Sequence, residues 1–362
     1  MLASPPPLLL LHLVSSLYHT KDPFKKAMDR EQEDMQFLGF FGIYKEAYKV
    51  VISWRKIFSQ ITLALILPLS FIFLAHKEIS DLLFWRILET QWELYQTQAG
   101  SKRFHYLSDH IRSEWITYYL FKAAYFTFLL ILSLLCTSAV VYTIASIYTR
   151  RDVTFKKVMS VVPKVWKRLM VTFLCAFLAF FAYNLLAFLV IAIWSITLTE
   201  TPAQTPTLVI ILILYAAGFV YMTIIWQLAS VVSVLEDSYG FKAVLKSKKL
   251  IKGNLMVASA IFLKLNFLLV VIQVVFNMHV VHTRWHRGAS FGSRIGFGIL
   301  CLLLLFKLIL FGLVIQTIIY FVCKSYHHEN IDKSNLSEHL EGYLGDYEPL
   351  TTKDVQLEQY QV

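Results

Sequence analysis

Charge is what this sequence has least of. Only 16% of its 362 residues are Asp, Glu, Lys or Arg and 57% are hydrophobic, where a soluble domain carries roughly a quarter charged residues. So little charge cannot cover a water-facing surface, which excludes a plain soluble globule and points to lipid as the main solvent. Cysteine is equally scarce. Cys136, Cys175, Cys301 and Cys323 all fall within or beside apolar segments, which excludes a disulfide framework. Cys323, next to Lys324, stands where palmitoylation is conceivable, but a buried thiol is the simpler role. Two further absences matter. The apolar runs lack the alternation of a membrane barrel, and they contain no Asp or Glu. Barrels are thereby excluded, and helices remain as the one way to satisfy backbone groups in lipid.

What is present is a set of apolar runs long enough to cross a core about 30 Å thick, which takes about 20 helical residues. Six qualify, at about 57–76, 120–148, 169–197, 208–235, 255–278 and 295–323. Several exceed the minimum, which predicts tilt or helix continuing beyond the bilayer. Pro68 predicts a kink in the first span.

The net charge of +10 is carried by 34 Lys and Arg against 24 Asp and Glu. Its distribution argues for membrane headgroups and against nucleic acid. Basic residues gather before the first span (Lys45, Lys49, Arg55, Lys56), after the second (Lys156, Lys157, Lys164, Lys167, Arg168) and after the fourth (Lys242, Lys246, Lys248, Lys249, Lys252). The loop 198–207 has none, and in 77–119 Glu and Asp are interleaved with them. The positive-inside rule then places both termini in the cytosol.

The three basic stretches echo one another. Phe155-Lys156-x-Val158 leads to Leu169-Met170-Val171, and Phe241-Lys242-x-Val244 leads to Leu255-Met256-Val257 at the same spacing; Trp54-Arg55-Lys56 pairs more weakly with Trp166-Lys167-Arg168. Each stretch is amphipathic with helical period, in 38–56, 153–168 and 239–253. Such helices lie on the headgroup layer with aromatic rings at the interface and lysines reaching phosphates. The expected fold is therefore an all-α integral membrane protein with six transmembrane helices. These form three repeated units of interfacial helix plus helical hairpin, set around an axis near the membrane normal. The surface residues are Trp54, Arg55, Lys56, Lys156, Lys157, Trp166, Lys167, Arg168, Lys242, Lys246 and Lys249. The alternative is that these stretches are ordinary connectors packed on protein.

A family resemblance enters at the third basic stretch. Glu236-Asp237-Ser238-Tyr239-Gly240 leads through a basic helix with a Ser-x-x-Leu core to Gly253-Asn254. This resembles a recurring segment of bacterial polytopic proteins related to the membrane domain attached to some glycerophosphodiester phosphodiesterases. From Met28 to Val362 the chain looks more like a family of plant multi-pass membrane proteins with no established activity. The hydrolase histidines and metal-binding carboxylates have no counterpart, so the resemblance implies membrane residence and no esterase.

Lys264 and Lys307 stand near the middle of the fifth and sixth spans. A cation at that depth costs about 2.5–3.5 kcal/mol on insertion scales and needs a polar interior or a partner. With Asn184, Gln227, Asn266, Gln273 and Gln316 as solvating amides, the pair would make an anion or headgroup site, or a transport path; otherwise both lysines reach out to the interface or bond carbonyls within the bundle. Gly288-Ala289-Ser290-Phe291-Gly292 matches a nucleophile elbow by letter only, since no strand precedes it and the later histidines lie across the bilayer. His279, His282 and His286 share a helical spacing, but Arg284 and Arg287 repel a cation. No metal, cofactor or catalysis is expected.

Residues 1–27 are expected to be a disordered or alternative-start extension, 28–56 a cytosolic amphipathic segment, 57–323 the membrane domain and 324–362 an acidic disordered cytosolic tail. In the tail, Tyr347-Glu348-Pro349-Leu350 fits a tyrosine-based sorting signal. The expected function is a non-enzymatic multi-pass membrane protein that organises lipid or protein partners. Anionic headgroups on the cytosolic face are its first partners, with protein partners through the tail. The alternatives are a transporter using Lys264 and Lys307, and a membrane-anchored adaptor that presents its tail.

Overall fold

The computed structural model describes residues 37–149, 153–197, 204–282 and 291–327. These are helical, with no strand among the described residues. Helix α1 spans Phe40–Ser53 and α2 Arg55–Ile61, separated at Trp54 by φ −109° and ψ 32°. A π turn, Thr62–Ile66, leads into α3, Leu67–Gln96. At Pro68, where a kink is expected, the wider turn directly precedes the proline, which then occupies the first turn of α3. The Ser70 hydroxyl donates to the Ile66 carbonyl at 2.7 Å, so the junction leaves that group satisfied.

Helix α4 runs from Lys102 to Tyr148. The loop expected over 77–119 is therefore mostly helix, with α3 and α4 meeting in a turn at 97–101. Gly100 supplies a φ of +82°, and the Ser101 side chain accepts from the Phe104 N–H at 3.1 Å as N-cap. At 1.5 Å per residue α4 is about 70 Å long, far more than a bilayer core requires.

Helix α5, Phe155–Thr197, is unbroken despite Pro163. The stretch 153–168, expected as a separate interfacial helix, is thus the first part of this long helix. Helix α6 covers Gln204–Leu235, α7 Phe241–Leu250 and α8 Leu255–Phe276; a second π turn, Asn277–Val281, follows, and α9 covers Phe291–Tyr326. The contrast between α5 and the α7–α8 junction has a clear cause. Gly253, at φ +98°, stops the helix, whereas no glycine interrupts 155–197.

Helices α4, α6 and α9 each touch the other two, and α3, α5 and α8 lie outside them. The last parts of the inner three are buried almost all round: Leu134–Ile147 in α4, Ile224–Leu235 in α6 and Val314–Cys323 in α9. The core therefore sits at the end of the bundle where the basic stretches lie. Helix α1 packs on α9, α5 on α4 and α7 on α6. In α1 the residues three, six, seven and ten on from Phe40 are buried (Ile43, Glu46, Ala47, Val50). In α5 the same steps from Phe155 give Val158, Val161, Val162 and Val165, all buried. The apolar faces of these stretches are turned into protein.

The opposite end differs. There α5 and α6 expose apolar side chains around most of their surface, including Leu178, Phe181, Phe188, Ile193, Ile210 and Leu214. Among the described residues six helices are long and apolar enough to cross a membrane.

Candidate functional site

The basic end is organised around one acid. Glu236 follows the last residue of α6, and its side chain is 12% exposed. One carboxylate oxygen accepts from Lys246 Nζ of α7 at 2.6 Å. The other accepts from the Tyr320 hydroxyl at 2.6 Å and Lys324 Nζ at 3.0 Å, both on α9. Three helices thus converge on a single carboxylate. Burial alone would push its pKa up, but the Lys246 hydrogen bond, the Lys324 charge and the Tyr320 hydroxyl outweigh it and hold the group below the ordinary glutamate range.

The turn after Glu236 is fixed from the other side by α5. The Thr172 hydroxyl, fully buried, accepts from the Gly240 N–H at 2.8 Å and lies 2.6 Å from the Ser233 hydroxyl. Arg168 reaches Asp237 at 3.2 Å, but Asp237 is 81% exposed, so this pair contributes little. Gly240, at φ +63°, starts α7, and Gly253 ends the turn after it with the Tyr326 ring lying where a Cβ would stand. His327 Nε2 lies 3.1 Å from the Leu250 carbonyl. The end of α9 therefore latches α7 in place.

This frame sets which expected surface residues face outward. Arg55, Lys56, Lys156, Lys157, Lys167, Lys242 and Lys249 are exposed, as are Lys45, Lys164, Lys248 and Lys252. Lys246 is turned inward to Glu236, and Arg168 is engaged by Asp237 with its guanidinium 5.9 Å from the Tyr239 ring centroid. Trp54 and Trp166 are half-buried against the core. The structure builds a plate whose apolar side is core and whose outer side carries lysine and arginine.

The four residues expected to form a ligand site each have other surroundings among the described residues. Lys264 is exposed on α8, with its ammonium 4.4 Å from the Tyr44 ring centroid and 5.3 Å from that of Phe40 on α1. Burial pushes the Tyr44 hydroxyl up from its ordinary pKa. Lys307 is exposed on α9. Asn184 lies in the α5–α6 hairpin, where it donates to the Phe180 carbonyl at 2.7 Å and accepts from the Tyr215 hydroxyl at 2.9 Å. Asn266 lines a cavity of about 240 Å³ among α6, α8 and α9. The walls there include Leu265 and Leu308, the neighbours of the two lysines, and not the lysines themselves.

No metal-holding group of His, Cys, Asp or Glu exists among the described residues. His279 packs against Phe297, with ring centroids 4.3 Å apart. His286, most of the Gly288–Gly292 pentapeptide, Tyr347 and Leu350 lie outside the described residues, as does the 1–27 extension.

The sequence reading missed Glu236 as a hub, together with Thr172, Tyr320 and Lys324. A signal existed: Glu236 is the first acid after the apolar run of α6, and Tyr320 and Lys324 stand one helical turn apart on α9. Their meeting is tertiary, and no spacing along the chain reveals it.

By fold the described residues are all-helical, with six helices long and apolar enough to span a membrane. A family model described as a domain of unknown function, DUF8558, matches residues 28–360, and the chain belongs to that family. The match brings no link to the membrane domain attached to glycerophosphodiester phosphodiesterases. No curated protein and no solved structure matches.

Proposed function

We propose that the protein is a non-enzymatic, six-span membrane protein that gathers anionic lipids, and partners that ride on them, beneath its cytosolic end. The observation that carries this reading is the basic plate. Its helices are anchored in the core through their apolar faces, and α7 is held in addition by the Glu236 hub, so their lysines are presented on one fixed frame. Each Lys or Arg near an anionic surface contributes about 1 kcal/mol, and a rigid array adds these without a large ordering cost. The extensive apolar exposure on α5 and α6 supports insertion in a bilayer, since soluble surfaces rarely carry such patches.

Three units around one axis remain part of the proposal. It is supported by Phe40, Phe155 and Phe241 each opening a helix, by the matched buried steps in α1 and α5, and by each basic helix packing on the inner helix that precedes it in a closed cycle. Both termini and the basic plate are placed in the cytosol on the charge asymmetry.

The test is lipid retention. The protein is reconstituted in mixed phosphatidylcholine–phosphatidylserine vesicles, re-extracted in mild detergent, and its bound lipids are weighed by mass spectrometry. Wild type should retain phosphatidylserine above its bulk share, and high salt should reduce this. The variant with Lys156, Lys157, Lys242, Lys248 and Lys249 all changed to Gln should retain bulk composition. Equal retention by both proteins would remove the basis for the proposal.

A further inference from the structure

Two cavities meet at the same pair of amides. One, about 240 Å³, lies among α6, α8 and α9; the other, about 290 Å³, lies among α4, α5 and α6. Gln227 of α6 and Gln316 of α9 line both. Neither wall carries an acid or a base: the first adds Asn266 to a lining of Leu, Ile and Phe, and the second adds Ser133, Thr137, Thr223 and Ser230 beside Phe173 and Trp226.

The amides are only partly used by the protein. Gln316 Nε2 donates to the Gln227 carbonyl at 2.6 Å and to the Ser230 hydroxyl at 2.7 Å. The Ser230 hydroxyl also donates to the Gln227 carbonyl at 2.7 Å. The Gln227 side-chain amide and the Gln316 Oε1 make no hydrogen bond among the described residues. Gln227 stands eight residues before Leu235, about 12 Å below the basic end. At that depth in a bilayer an idle amide is costly, and water is scarce.

We infer that these cavities bind an uncharged two-chain lipid whose hydroxyl and carbonyl groups bond the Gln227–Gln316–Ser230 node, with one apolar chain in each cavity. A small polar set in apolar walls is the usual composition of a ligand site. The lack of any charged lining residue selects against a zwitterionic or anionic headgroup at the node, since a buried charge without a partner is strongly disfavoured. Diacylglycerol and ceramide share the chemistry required. The inference rests on bilayer insertion, but not on the basic plate.

Gly312 offers a test that spares the fold. It lines the first cavity, and a Cβ there would meet nothing within 4 Å, so Gly312→Leu fills the space without a clash. The protein is reconstituted in phosphatidylcholine vesicles with a photoactivatable diacylglycerol whose reactive group is on an acyl chain, and labelled peptides are mapped. Labels are expected on the peptides holding Trp226 and Leu308–Gln316. Competition should come from unlabelled diacylglycerol or ceramide, whichever is preferred, and not from added phosphatidylcholine. Gln316→Leu should weaken the labelling about fivefold, the value of one net hydrogen bond, and Gly312→Leu should abolish it in the first cavity while thermal unfolding in detergent stays as in wild type. Label spread evenly over outward residues such as Phe188 and Leu212, or competed equally by phosphatidylcholine, overturns the inference, as does unchanged labelling in both variants. Labelling of Phe188 and Leu212 reports bilayer insertion by itself, so a failed site and a failed membrane assignment give different results.

Discussion

Changing Glu236 to Gln keeps the shape of the hub and removes its charge. In the wild type the carboxylate faces two ammonium groups and a hydroxyl, and its side chain is 12% exposed. Removing one partner of a fully buried pair costs about 3–5 kcal/mol, because the charge left behind is uncompensated. Here the lysines have some escape: the side chains of Lys246 and Lys324 are 32% and 16% exposed. Discounting for that screening, and for the Tyr320 hydroxyl still able to donate to the amide oxygen, Glu236→Gln should cost about 2 kcal/mol. The pH dependence follows from the direction of the shift. The folded pKa lies below the unfolded value, so the stabilisation is fully present above about pH 4.3, the ordinary glutamate value, and is lost as pH falls through the lower folded pKa. Unfolding of the detergent-solubilised protein, followed by circular dichroism at pH 7 and at acid pH, reads both effects. The gap between wild type and Glu236→Gln should be wide at neutral pH and close on acidification. Lys246→Met should cost less than Lys324→Met, since Lys246 is the more exposed partner. A variant as stable as wild type at pH 7, or a gap that does not change with pH, refutes the hub.

Other expectations concern the joints of the same frame. Gly253→Ala forces a left-handed backbone onto a residue with a Cβ and drives it into the Tyr326 ring, which should cost at least about 1–2 kcal/mol. Truncating the ring in Gly253→Ala/Tyr326→Ala should recover only the steric part, and chemical unfolding of the three proteins measures the split. Thr172→Val removes the hydroxyl that accepts from Gly240 N–H and should cost about 1–3 kcal/mol, seen as faster amide exchange across 236–243; unchanged exchange would show that the turn is held by other contacts. Lys264→Leu should release α1, since a cation over aromatic rings contributes about 0.5–2 kcal/mol. Hydrogen–deuterium exchange over 40–53 should rise in that variant and stay low in Lys264→Arg.

Hydrophobic run length made the six spans legible, because the solvent they need is written in composition. Helix ends were less so. Hydropathy reports where lipid contact stops, not where a helix stops, so the polar continuations of α3 and α4 look like a loop in the sequence alone. The evidence lay in the breakers: 77–119 contains no proline and only Gly100, which is where the turn forms. The same logic explains α5. Phe155 and Phe241 begin matched stretches, but only the second carries a glycine before its span, so only the second breaks. The site was harder still. The exposed lysines of the plate follow from amphipathic period, whereas the inward turn of Lys246 depends on Glu236, and the Gln227–Gln316 node joins helices far apart in the chain.

The central claim is that the helices cross a bilayer with the basic plate on the cytosolic side, and glycosylation mapping tests it most directly. An acceptor sequon placed in the turn at 97–101 should be glycosylated in membranes, and one in the turn at 251–254 should not. Modification of the second turn and not the first, or a chain that stays in the soluble fraction without detergent, would contradict the account.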